Sequence, residues 1–264
     1  MRSFDTLVSI VARLRGPDGC PWDRAQTPAT LRPYLVEESY EVIEAVESGD
    51  PDALRKELGD LLFQVVLLAQ MAQDAGWFDM DAVCQAIADK MVRRHPHVFD
   101  PDHVEEDAGS VAAWEARKAR ERGAEVSMLD GLPKALPALV RAHRVGEKVS
   151  RVGFDWPDLA GVRAKVDEEL AELDAELDAK DTAGIHAEYG DTLLALANLG
   201  RFIGLGPEEA LRGANTRFDQ RFRVVERLAA ETGRPLTERS PEELEALWQR
   251  AKTLTPSGHA DAGD

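Results

Sequence analysis

The chain has 264 residues, 44% hydrophobic and 31% charged, which is enough for two domains of ordinary size and normal for a folded globular protein. A formal charge of −17, with no basic run longer than Arg93-Arg94, excludes nucleic-acid and anionic-membrane binding through bulk electrostatics. Cys20 and Cys84 make no CxxC pair or disulfide framework, and Met1 to Leu14, broken by Arg2, Asp5 and Arg13, is neither signal peptide nor membrane span, so the expected compartment is the cytoplasm.

Apolar residues recur at three- and four-residue spacing almost throughout, and alternating stretches are nearly absent, so the predicted class is all-α. The first helices are expected over 3–14, 28–47, 51–75 and 79–95. Thr27-Pro28 and Asp50-Pro51 each set a capping side chain before a proline, and Asp79 caps similarly. Residues 1–100 form a first helical domain on this reading. Residues 101–133, with their Asp-Pro, Glu-Glu-Asp and Gly-Ser clusters, read as a linker. It carries a short charged helix near 111–122, and Trp114 is available to dock it. A second domain, 134–253, is expected to hold helices near 134–149, 158–179, 182–203, 207–231 and 241–253. Asp181 and a Ser240-Pro241…Glu243 capping box start two of these. Stops fall at Gly49, Gly76, Pro96, Gly204 and Gly233. The tail, 254–264, is expected to be disordered.

The two domains are copies. Glu37, Glu38, Glu41, Glu57 and Asp60 recur as Glu168, Glu169, Glu172, Glu188 and Asp191 at a constant offset of 131 residues. Around them the residues drift: Tyr40 corresponds to Ala171 and Phe63 to Leu194. A duplicated scaffold would keep its apolar positions first and lose surface acids. Here the acids persist, which points to a charge-dependent task, most simply metal binding.

Helical geometry supports that reading. Glu38 and Glu41 lie about 60° apart on one face, and the three acids of E-E-x-x-E fill an arc of roughly 100°. Glu57 and Asp60 make a second i, i+3 pair on the next helix. The short Ser48-Gly49-Asp50 turn makes the two helices antiparallel neighbours, so the acid pairs converge. Such clustering is self-repulsive and calls for a counter-charge. Oxygen-only ligands favour Mg²⁺, with Mn²⁺ as a substitute. No EF-hand loop and no sustained heptads run through these acids.

The paired E-E-x-x-E…E-x-x-D motifs resemble those of MazG-type nucleoside triphosphate pyrophosphohydrolases. So do Gly19-Cys-Pro-Trp22-Asp23, the Arg93-Arg94-His95-Pro96-His97-Val98-Phe99 run, Val152-Gly-Phe-Asp-Trp156, and Asn215-Thr-Arg217-Phe218-Asp-Gln-Arg221-Phe222. The resemblance covers roughly residues 1–253. It implies two tandem MazG-like helical domains whose four-helix-bundle cores form through dimerisation, with a homodimer as the expected assembly. It implies Mg²⁺-dependent cleavage of nucleoside triphosphates to monophosphate and pyrophosphate, in nucleotide-pool control or house-cleaning. Glu169, Glu172, Glu188 and Asp191 are then the working metal ligands, and Glu38, Glu41, Glu57 and Asp60 the matching set in the first copy.

Glu168 is the candidate to orient or deprotonate the attacking water. Arg217 and Arg221, at i, i+4, are candidates to clamp phosphate oxygens. Trp248 and Lys252 are candidates for base and phosphate contacts, with core packing the alternative for the indole. In the first copy Lys90, Arg93 and Arg94 are phosphate candidates, and His95 and His97 a metal pair or, alternatively, packing and capping residues. Two rival functions share these acids: a narrow-substrate dUTP or phosphoribosyl-ATP pyrophosphohydrolase, and a non-catalytic nucleotide-binding helical dimer.

Overall fold

The computed structural model describes residues 2–100 and 127–255, and among them the regular structure is helical, with no strand. The chain divides into two compact units, Met1–Gly123 and Ala124–Asp264. The expected helix near 111–122, Trp114 and the tail from 256 lie outside the described residues.

In the first unit α1 (Arg2–Arg15), α2 (Pro21–Ala25), α3 (Arg32–Ser48), α4 (Pro51–Asp74), α5 (Met80–Arg94) and α6 (Pro96–Phe99) follow one another. Asp50 starts α4 by accepting from the backbone N–H groups of Asp52 and Ala53, and Asp79 starts α5 by accepting from Ala82. Gly49, at φ 67°, takes the left-handed conformation that ends α3 and turns the chain straight into α4. Val11 of α1 packs with Val66, Leu67 and Met71 of α4 and with Leu31, flanked by Phe4, Leu7 and Val8. Each such fully buried aliphatic side chain contributes about 1.5–3 kcal/mol. Arg15 fastens the α1–α3 connection: it pairs with Asp74 at 2.8 Å and donates to the carbonyls of Asp23 and Gln26.

Helix α3 begins at Arg32, four residues later than expected. Thr27 does not cap a helix at Pro28; Thr27 and Thr30 exchange backbone-to-hydroxyl hydrogen bonds and close a turn. Leu31, which follows it, is 1% exposed. The Pro96 stop holds for α5, but the proline then opens the single-turn α6, with His95 between them.

The second unit contains α7 (Ala138–Ser150), α8 (Leu159–Ala179), α9 (Thr182–Phe202), α10 (Pro207–Glu231) and α11 (Pro241–Leu254), with a 3-10 turn at Leu236–Glu238. Asp158 and Asp181 cap α8 and α9, and Ser240 with Glu243 forms the expected capping box on α11. Helix α7 starts after Pro137, later than the expected 134. The buried ammonium of Lys148 on α7 holds the carbonyls of Met128 and Asp130 at 2.8 and 3.0 Å, so this stretch of the expected linker is fastened to α7. Helices α8 and α9 pack along their length, repeating the α3–α4 hairpin. Helix α7 lies against α9, and α10 and α11 share a core of Val224, Val225, Leu228, Ala229, Leu247 and Ala251.

Candidate metal centre

Each hairpin gathers three acids at matching repeat positions. Glu38 and Glu41 of α3 meet Glu57 of α4, and Glu169 and Glu172 of α8 meet Glu188 of α9. In each trio one carboxylate oxygen per residue lies within 4.8 Å of the others. The hairpin geometry explains this: i, i+3 spacing puts two acids on one face, and the short turn lays the second helix antiparallel against it. Asp60 and Asp191 stand outside the trios. Asp60 lies 3.7 Å from the Lys56 ammonium, and Asp191 follows Glu188 by three residues on α9, near enough for its charge to raise the pKa of Glu188.

Polar neighbours fix the trios from behind. The amide of Gln64, buried on α4, donates to Glu38 at 3.3 Å. On α9 the buried Thr192 hydroxyl donates to the Glu188 carbonyl at 2.8 Å and reaches the Glu169 carbonyl at 3.5 Å, tying α9 to α8 beside the acids.

The crowding shifts protonation. Loss of water raises the pKa of Glu188 above the usual carboxyl range, and the charges of Glu172, Asp191, Glu169 and Glu176 raise it further. Glu41 is raised in the same way, by loss of water and then by Glu57, Glu38 and Glu37, with Lys56 opposing. The second carboxylate oxygen of Glu57 is buried without a hydrogen-bond partner. A converging set of carboxylate oxygens, with one buried oxygen unmatched, fits a hard divalent cation.

Residues 26–99, which contain the whole first acid set, match the family model described as the MazG nucleotide pyrophosphohydrolase domain. A nucleoside triphosphate pyrophosphohydrolase of Escherichia coli (strain K12) is 47% identical over 257 residues, 96% of this chain and 98% of the relative. The chain belongs to the MazG family. A Thermotoga maritima relative, described as nucleoside triphosphate pyrophosphohydrolase/pyrophosphatase MazG, is 44% identical over 250 residues, covering 94% of this chain and 95% of its own. A mazG-related protein of solved structure from Thermotoga maritima aligns with 44% of this chain and 98% of its own, at 32% identity and a TM-score of 0.37.

In this MazG chain a cavity of about 470 Å³ opens beside the second hairpin, lined among others by Gly146, Phe154, Trp156, Leu194, Asn198 and Arg201. Leu194 and Asn198 follow Asp191 by one and two turns on the same helical face, so the cavity and Asp191 share one side of α9. Arg201 closes the rim by gripping Asp155 through both carboxylate oxygens, at 2.5 and 2.9 Å, and lies over the Phe202 ring. The Trp156 ring meets Phe202 edge-on.

The other expected residues lie on different elements. Arg217 and Arg221 are on α10, with Arg217 exposed and folded back over Gly213. Trp248, on α11, packs against the α10–α11 core with its ring 5.2 Å from that of Phe218, and Lys252 stands one turn further on. Glu168 points to Lys165, whose ammonium also binds Glu169. In the first copy His95 caps the end of α5: its Nδ1 lies 2.7 Å from the Met91 carbonyl, with His97 beside its ring. Sequence reasoning missed Lys56, Lys165, Gln64, Thr192 and the cavity. The spacing of Lys165 to Glu168 and Glu169, three and four residues, was the available signal for one of them.

Proposed function

We infer that this protein is a nucleoside triphosphate pyrophosphohydrolase, converting a triphosphate and water to monophosphate and pyrophosphate in nucleotide-pool control or house-cleaning. The observation that carries the reading is the recurrence of one acid trio in both helix hairpins of a chain that aligns end to end with named pyrophosphohydrolases.

Glu169, Glu172, Glu188 and Asp191 would hold Mg²⁺, and Glu38, Glu41, Glu57 and Asp60 are the corresponding set in the first copy. The bound cation supplies neutralisation of phosphate-oxygen charge and a more acidic water. Around it the chain's own residues divide the work. Glu168, once free of Lys165, accepts a proton from the attacking water. Arg217 and Arg221 offset the charge that grows on the leaving pyrophosphate. The cavity walled by Phe154, Trp156 and Asn198 gives the nucleoside an apolar bed with one amide to read it, and Lys252 with Trp248 would add phosphate and base contacts from the last helix. Residues 1–100 and 134–253 act as the two MazG-like domains, joined through 101–133.

The protein works as a homodimer on this reading. Each hairpin is half of a four-helix bundle and leaves apolar side chains outside: Leu58, Leu62 and Val65 on α4, Leu193 and Leu196 on α9.

Chromatography of products from a panel of nucleoside triphosphates with Mg²⁺ tests the activity. Monophosphate and pyrophosphate, abolished by EDTA, are expected. Diphosphate and phosphate would refute the bond assignment, and tight binding without products would favour a non-catalytic nucleotide-binding dimer.

A further inference from the structure

Both acid trios already have a cation beside them, and it belongs to the chain. The ammonium of Lys165 lies 2.7 Å from Glu169 and 2.8 Å from Glu168. Glu169 is the most enclosed acid of its trio, its side chain 8% exposed. In the first copy the ammonium of Lys56 lies 2.8 Å from Glu57 and 3.7 Å from Asp60, and the Glu57 side chain is again the enclosed partner.

The two lysines are not equivalent in the repeat. Position 165 corresponds to Tyr34 and position 56 to Ala187. Lys165 reaches its acids from the first helix of its hairpin and Lys56 from the second. The duplication therefore did not hand one lysine to both copies. Each copy sets one ammonium on a shielded acid of its trio, by a different residue and on a different acid, Glu169 in one and Glu57 in the other.

We propose that Lys165 and Lys56 are resting counter-cations of the acid sites, which a divalent ion must displace, so that they set how readily each site loads. This rests on the reading of the acids as metal ligands. A carboxylate oxygen engaged by an ammonium at 2.7 Å has a competitor for the same lone pairs, and metal affinity falls by the cost of breaking that contact. Glu168 is engaged by the same ammonium, so displacing Lys165 also frees the residue placed to handle the water.

Titration of the full-length protein with Mn²⁺, read from the electron paramagnetic resonance signal of the free ion, tests this without any turnover. Lys165→Met is expected to tighten binding at one class of site about five- to tenfold, the size of a partly enclosed ion pair removed from the competing state. Lys56→Met is expected to tighten the other class by less, because that lysine is 69% exposed. Lys165→Arg keeps a cation and should stay near wild type. Arg163→Met removes the same charge from the same helix but from an ammonium-free pair with Asp167, 2.7 Å away, and should change affinity less than about twofold. Unchanged or weaker binding by Lys165→Met, with a cooperative melt showing it folded, overturns the proposal while leaving the metal sites standing. Equal tightening by Arg163→Met overturns it too, since diffuse charge would then explain the effect. Absence of Mn²⁺ binding in the wild type overturns both this proposal and the metal reading beneath it.

Discussion

A side chain on Gly146 of α7 would collide with the Oδ1 of Asn198 on α9 and touch the guanidinium of Arg201. The glycine lets two helices meet with a buried amide between them and keeps the cavity open on that side. Gly146→Ala is therefore expected to lose about 1–3 kcal/mol of stability despite alanine's better helix propensity, because overpacking outweighs it. It should also raise KM more than it lowers kcat, as Asn198 is pushed into the cavity. Denaturant melts and nucleotide kinetics check both effects.

Asp155 carries a pH prediction. The two hydrogen bonds from Arg201 hold its carboxyl below the usual range, against the opposing effect of burial, with further help from the Trp156 N–H. A folded-state pKa below the unfolded one gives stability that is present above the unfolded value and lost as pH falls through the folded value. Asp155→Asn should thus be less stable than wild type near neutrality, by about 0.5–1.5 kcal/mol for a partly exposed pair. The gap should close as pH drops below the carboxylate range, in melts recorded across that interval.

Glu188 behaves in the opposite sense. Its raised folded-state pKa means that the charged form opposes folding above that pKa, and that the penalty disappears as pH falls below the unfolded value. Without metal, Glu188→Gln is expected to melt higher than wild type at neutral pH and to match it in acid. With Mg²⁺ the order should reverse, because the variant has lost a ligand. Melting curves with and without the ion decide it.

The capping box on α11 is separable from the chemistry. Ser240 accepts from the Glu243 N–H while Glu243 accepts from the Ser240 N–H at 2.8 Å, and Arg234 supports Glu243. Ser240→Ala should cost about 1 kcal/mol, measured by denaturant unfolding.

What could be read in the chain was set by local rules. Helices bounded by Asp50, Asp79, Asp181 or Ser240, and ended by Gly49 or Gly76, fell close to expectation because a cap and a stop act within one turn. Thr27-Pro28 misled because a threonine before proline can close a turn with Thr30 as well as cap a helix, and the choice is made by Leu31, which the core of α1 and α4 draws in. The acid trios were legible because repeat spacing and helical periodicity carry them. The cavity was not, since Gly146, Trp156 and Asn198 meet only once α7, the α7–α8 connection and α9 are packed. Tyr34 and Lys165 occupy one repeat position, so a search for shared residues passes over the lysine.

Paired substitutions test most directly whether the acid trio of the second hairpin performs the reaction. Turnover of a nucleoside triphosphate to monophosphate and pyrophosphate would be compared for wild type, Glu172→Gln and Glu41→Gln, each confirmed folded by its melt. Loss of turnover by about a hundredfold or more in Glu172→Gln, with Glu41→Gln near wild type, is the predicted result. Near-normal pyrophosphate release by Glu172→Gln would contradict the account.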